Sequence, residues 1–166
     1  MDPAPLRART TRRGVLLLAA VPLLGACSAR FPADAAGTLD RVEGGALRVG
    51  VSPYPPFTAA TDAGDVSGSE VDLVTAFAER IGASPDWTVG AESNLVERLH
   101  EGALDLVIGG LDEKSPWTSE VALTRPYGEA EGPDGKMRHL VMAVRAGENA
   151  LLTELERFLA EKGGEL

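Results

Sequence analysis

The chain reads as an α/β protein: a single three-layer lobe with a mostly parallel sheet of about five strands. Three observations predict this. Strand-like and helix-like segments alternate in the order strand, helix, strand, helix, strand, which implies a parallel sheet with right-handed crossovers. Leu104, Leu106, Val107 and Ile108 form an apolar run suited to a strand buried on both faces. The chain has 166 residues, 44% hydrophobic and 25% charged, enough for one domain with an ordinary core.

Met1 to Ala26 reads as an export signal, with a basic start ending at Arg12-Arg13, an apolar run from Gly14 to Ala26, and small residues at its end. That run is too short to span a bilayer, which takes about 20 apolar residues. Leu23-Leu24-Gly25-Ala26-Cys27 resembles the lipobox of bacterial lipoproteins. The resemblance implies that the Cys27 thiol receives a lipid and that the protein is anchored to a membrane on the extracytoplasmic side of the envelope. Thr10 to Leu16 also resembles a twin-arginine export signal, and the general export route stays open beside it. Cys27 is the only cysteine, so no intramolecular disulfide forms, and no Cys/His cluster has metal-ligand spacing. The leader holds four arginines and one aspartate. The whole chain is −9, so the remaining 140 residues carry −12. That surface repels phosphate backbones and argues against nucleic acid.

Residues 27–45 are rich in Ala, Gly, Asp and Pro without a sustained period, and read as the lipidated cysteine and a flexible tether. The lobe itself is expected over 46–162, with a tail at 163–166. Leu47, Val49 and Val51 alternate as a first strand, and Ser52 to Phe57 (SPYPPF) follows it. Its prolines forbid helix and present Tyr54 and Phe57 from a stiff loop. Ser69 stands where an N-cap would, with Asp72 three residues on, and Val71, Val74, Phe77, Ala78 and Ile81 keep helical spacing up to Gly82. Pro85–Val89 is a short second strand. Asn94 with Glu97 opens a second helix whose apolar side is Leu95, Val96 and Leu99.

The third strand begins at Leu104 and is expected to stop at Gly109 and Gly110, at the sheet's carboxyl end, where open α/β sheets bind ligands. Glycines there leave main-chain N–H groups uncovered. Ser115-Pro116 predicts a helix start, and Val121–Thr124 returns to the sheet. Residues 129–136 read as a turn-rich interruption, His139–Val144 as a strand, and Glu148–Lys162 as an amphipathic helix striped by Leu151, Leu152, Leu155, Phe158 and Leu159.

Four places in order resemble the bacterial extracellular solute-binding proteins of family 3, the amino-acid-binding components of ABC importers. They are Leu47–Val51 with Tyr54-Pro55-Pro56-Phe57, then Gly68–Leu73, then Leu99–Gly110 with Gly102 and Asp105, then Thr124-Arg125-Pro126-Tyr127. The resemblance implies a lobe like lobe 1 of a type II periplasmic binding protein, and an envelope-anchored solute-binding function without catalysis or cofactor. Two departures stand out. The family inserts a second lobe after the Tyr127 position, and here only eleven residues separate Tyr127 from His139. The family's G-M-T-x-T-x-x-R, whose arginine grips the ligand carboxylate, aligns with Asp112, Lys114 and Trp117. The expected site is an aromatic wall of Tyr54, Phe57 and Trp117, acceptors Asp112 and Glu70, and donors around Gly109 and Gly110. Two acids beside aromatic rings favour a cation or amine. The expected partners are a small solute and an ABC permease, with a second copy or lobe-like protein completing the cleft. An interaction module that kept the fold and lost the ligand, a remnant of an importer component, and a dehydratase-like enzyme are the alternatives.

Overall fold

The computed structural model describes residues 31–131 and 135–163. The expected export signal, Cys27 and residues 164–166 lie outside them.

The first elements are a short helix α1 (Thr38–Val42) and strand β1 (Ala46–Val51), then a two-stranded ribbon, β2 (Ala59–Ala60) with β3 (Val66–Ser67). Helix α2 (Ser69–Arg80), β4 (Ser84–Val89), α3 (Glu92–His100) and β5 (Leu106–Asp112) follow. A 3-10 turn (Pro116–Ser119), β6 (Val121–Leu123), β7 (Gly128–Glu131), β8 (Met137–Arg145) and α4 (Asn149–Glu161) complete the order. The main sheet has six strands, ordered β4-β1-β5-β8, with β6 and β7 in tandem along the far edge of β8. Pairings β4–β1–β5 are parallel and every pairing of β8 is antiparallel, so five strands run one way and β8 returns.

The strand alternation divides the core into two sides. Leu47, Val49, Leu106, Ile108 and Met142 meet α2 and α4 through Val74, Phe77, Leu155 and Phe158. Phe77 and Phe158 pack with ring centres 5.6 Å apart. On the opposite face Val107, Leu111, Val141 and Ala143 meet Leu95, Val96 and Leu99 of α3. Helix, sheet, helix is the three-layer lobe expected from the sequence.

Several local expectations are corrected. The stretch expected to be a tether is structured from Asp34 onward: Val42 is fully buried, and Asp34 bridges to Glu148. Asp34 Oδ1 accepts the Ala150 and Leu151 N–H groups at 2.6 and 3.0 Å, capping α4 from a distant part of the chain. Its Oδ2 accepts from Leu39 N–H at 2.6 Å. Glu148, 2% exposed, answers by accepting from Ala36 and Thr38 N–H. Two reciprocal carboxylates thus clasp the two ends of the lobe together. Ser69 is not a cap but the first residue of α2. Gly68 holds the cap position at φ 123, where a Cβ would sit 2.2 Å from the Phe57 carbonyl oxygen. α3 starts at Glu92, two residues before Asn94. The first part of the turn-rich interruption expected at 129–136 is strand: Glu129–Glu131 belong to β7, which pairs directly with β8 up to Glu131↔Met137. The chain therefore crosses from β7 to β8 within a hairpin, leaving no room between them for an inserted lobe.

Candidate functional site

The carboxyl ends of β1 and β5 open into one cleft. Thr58, fully buried, organises the loop after β1: its hydroxyl donates to the Ser52 carbonyl at 2.6 Å and accepts from Tyr54 N–H at 2.9 Å. The loop is thereby drawn tight, with the Tyr54 ring over β5 and the Phe57 ring stacked beside it at 6.0 Å. No sequence signal singled out this threonine.

β5 does not stop at its glycines. It runs on to Asp112, with a register shift between Val107 and Leu111 that takes in Gly109 and Gly110. Gly110 has φ +65, and a Cβ there would lie 2.2 Å from Tyr54 Cδ1. The glycine is needed both for its backbone angle and for the ring that covers it.

Beneath the floor lies Glu70, fully buried on the first turn of α2. Both its oxygens accept from Gly110 N–H, at 3.1 and 3.2 Å, and Tyr127 donates its hydroxyl to Oε1. Burial raises the Glu70 pKa, partly offset by the Tyr127 hydroxyl and by the Gly110 and Gly109 N–H groups. Burial, and then the neighbouring carboxylate, raise that of Tyr127. Glu70, expected as an acceptor of the site, and the N–H of Gly110, expected as a donor, are thus engaged with each other.

The cleft has a volume of about 490 Å³ and is floored by Tyr54, Gly109, Gly110 and Leu111. Glu92, Asp112, Lys114, Ser115, Pro116, Lys136, Met137 and Arg138 complete its lining. Asp112 accepts from Lys114 N–H at 2.8 Å and lies 3.9 Å from Arg138 Nε. Trp117 turns away from this space. Its ring packs with the α3-side core, and Nε1 donates to Glu92 at 2.5 Å. Ser115 caps the 3-10 turn as expected, accepting from Trp117 N–H at 3.5 Å, and the turn lasts only four residues. Phe57 lines a separate groove of about 440 Å³ with Pro53–Pro56, Ala130 and Glu131. Of the seven expected site residues, Tyr54, Gly109, Gly110 and Asp112 meet in the cleft; Phe57, Glu70 and Trp117 do not line it. Lys136, Met137 and Arg138 escaped sequence reasoning because only the β7–β8 pairing brings them there.

At the other end of the sheet Asp105, 2% exposed, is gripped by Arg48 Nε at 3.1 Å and Nη2 at 2.6 Å, and by Arg41. The Arg48 guanidinium is held above its usual pKa chiefly by that bond. This cluster ties β1 to the start of β5 and lies away from the cleft. Among the described residues no group of three or more His, Cys, Asp or Glu is placed to hold a metal ion.

A three-layer lobe with a one-sided cleft at its strand ends is the first lobe of a type II periplasmic binding protein. The chain belongs to the bacterial extracellular solute-binding proteins, family 3, whose pattern matches residues 47–162. It is similar to the arginine-bound form of domain 1 from TmArgBP, with 28% identity over 70% of this chain and 92% of that one, at TM-score 0.61. A point mutant of that domain, also arginine-bound, has 28% identity over 75% of this chain and 97% of that one, at TM-score 0.66. An ancestral cationic amino acid solute-binding protein, AncCDT-1, shares the fold at 16% identity, over 75% of this chain and 93% of that one, with TM-score 0.65. None of the curated proteins compared with this chain matches it by sequence.

Proposed function

We propose that this chain is a single-lobe solute-binding protein, held at the outer face of a bacterial membrane, that takes a small polar solute such as an amino acid or amine for an ABC-type importer. The cleft at the ends of β1 and β5 carries this reading, because its volume of about 490 Å³ is in the range of small-molecule sites, roughly 300–1,000 Å³. The likeness to a domain 1 described in its arginine-bound form supports binding by one lobe alone. Calorimetric titration of the protein with a panel of amino acids and small amines tests it; saturable heat from at least one is expected, and none at millimolar solute would refute it.

A lipid on Cys27 is the second half of the proposal. Asp34 is clasped seven residues further on, so the anchor spans at most about 25 Å. The clasp lies at the end of the sheet opposite the cleft, where β8 leads into α4. Cys27→Ser is expected to move the protein from the membrane fraction to the soluble one; unchanged partition would remove the anchor from the account.

One observation favours a different reading, an interaction module without a ligand: the Gly110 N–H is engaged by Glu70 rather than turned to the cleft. The same titration separates the two.

A further inference from the structure

The floor of the cleft holds a peptide that can turn over. Gly109 and Gly110 are adjacent glycines at the shifted part of β5, and neither has a partner in register on β1 or β8. Turning the peptide between them falls on the ψ of Gly109 and the φ of Gly110, and glycine takes either sign of φ at little cost. The Gly110 N–H is divided between the two Glu70 oxygens, at 3.1 and 3.2 Å. This peptide is trans, since the cis bonds among the described residues are Phe31-Pro32 and Pro55-Pro56. Its carbonyl therefore points opposite to its N–H: the Gly109 oxygen is turned from Glu70 toward the cleft that both glycines line.

Glu70 decides which way the peptide faces. Ionised, it accepts the Gly110 N–H and repels a carbonyl. With a proton from solvent on Oε2 it donates to a carbonyl, while Oε1 still accepts from the Tyr127 hydroxyl. The groups that face it are that hydroxyl, from the β6–β7 connection, and the Gly109 and Gly110 N–H groups of β5. From the loop after β1, the Phe57 carbonyl takes the main-chain N–H of Glu70 at 3.0 Å. Asp72 on its own helix is exposed, Asp112 of β5 lines the cleft above, and Arg125 of the connection pairs with Glu156. Burial, opposed by the hydroxyl and the N–H groups, holds the Glu70 pKa above the ordinary carboxyl value, so proton uptake begins above pH 4.5.

We propose that the Gly109–Gly110 peptide turns over when Glu70 takes up a proton, which moves the Gly110 N–H from the carboxyl group to the cleft, where it donates to a carboxylate of the solute. With Glu70 ionised the floor presents the Gly109 carbonyl, an acceptor for a solute ammonium group; with Glu70 protonated it presents a donor. Glu70 is then a positioning residue that never touches the solute. This rests on the solute-binding reading above and adds which end of the solute the floor takes.

Two measurements on the protein test it. Without solute, nuclear magnetic resonance follows the Gly110 N–H from about pH 8 down to about pH 4.5, the span over which Glu70 gains its proton. Its Overhauser contacts with the two Gly109 Hα protons are expected to exchange in the parent and to stay fixed in Glu70→Gln. Tyr127→Phe removes a bond that favours the ionised form, and should move the midpoint to higher pH. Calorimetry then uses arginine and putrescine, both cations of constant charge over this span, of which arginine alone has a carboxylate. The ratio of arginine to putrescine affinity is expected to rise as pH falls, by at most about tenfold per unit of pH, and to stay level in Glu70→Gln. Thermal melts check that both variants fold. An unchanged Overhauser pattern overturns the proposal, and so does a ratio that is level in the parent or rises equally in Glu70→Gln. If the peptide turns while no amino acid or amine binds, the turn stands and the solute-binding reading falls.

Discussion

A chain beginning at Ala46 is expected to be far less stable than one beginning at Phe31, although every strand of the main sheet is kept. The truncation removes Val42, which is fully buried and contributes about 1.5–3 kcal/mol by burial. It removes Asp34, the acceptor for two N–H groups at the start of α4, a capping loss of about 1 kcal/mol. It also leaves Glu148, 2% exposed, without the N–H groups of Ala36 and Thr38, at a further cost of about 1–3 kcal/mol. The sum, on the order of 5 kcal/mol, rivals the whole stability of many domains, about 5–15 kcal/mol. Urea melts of the two chains decide the matter. Coincident midpoints would show that the clasp contributes nothing, and Asp34→Ala in the longer chain isolates the cap.

Replacing Glu70 should separate its shape from its charge. Glu70→Ala empties a fully buried site and strands the Gly110 N–H and the Tyr127 hydroxyl. Unpaired buried groups cost about 1–3 kcal/mol each, and a cavity adds to that, so a loss of about 3–5 kcal/mol is expected. Glu70→Gln keeps an oxygen for Gly110 and carries no charge to desolvate, and should fold with near-normal stability. The pH dependence follows from the raised pKa of Glu70. Because the folded state binds this proton more tightly than the unfolded one, the contribution of Glu70 to stability is greatest at low pH. It falls as pH rises from the ordinary carboxyl value of 4.5 up to the raised folded value. Melts across that range should show the decline in the parent and its absence in Glu70→Gln. Parallel profiles would mean that this carboxyl titrates normally.

Much of the fold was legible from pattern alone. The apolar run from Leu104, the alternation from Leu47 to Val51 and the stripe from Leu151 to Leu159 each lie on the core face that their period predicted. Local reading failed where a distant group supplied what the neighbours did not. Ser69 looked like a cap until Gly68 was seen packed against the Phe57 carbonyl. Residues 34–45 looked like a tether because their partners, Glu148 and the start of α4, lie more than a hundred positions away. The site was half legible. Tyr54, Gly109, Gly110 and Asp112 meet because they sit at the ends of adjacent strands, and adjacency follows from the βαβ order. The partners of Glu70 and Trp117 were not legible, because sequence shows that an acid or an indole is present, and not which way its side chain turns.

The order and period of apolar residues thus determined the layers and the end of the sheet that carries the cleft. Tertiary structure alone decided what fills that end. Glu70 is drawn under the floor by Gly110 and Tyr127, Trp117 is drawn to Glu92, and β8 brings Met137 and Arg138 to the cleft that Lys114 also lines. The physical reason is range. Burial patterns are written into residues three or four apart, whereas the destination of a polar side chain depends on which donor or acceptor the finished fold sets within about 3 Å of it.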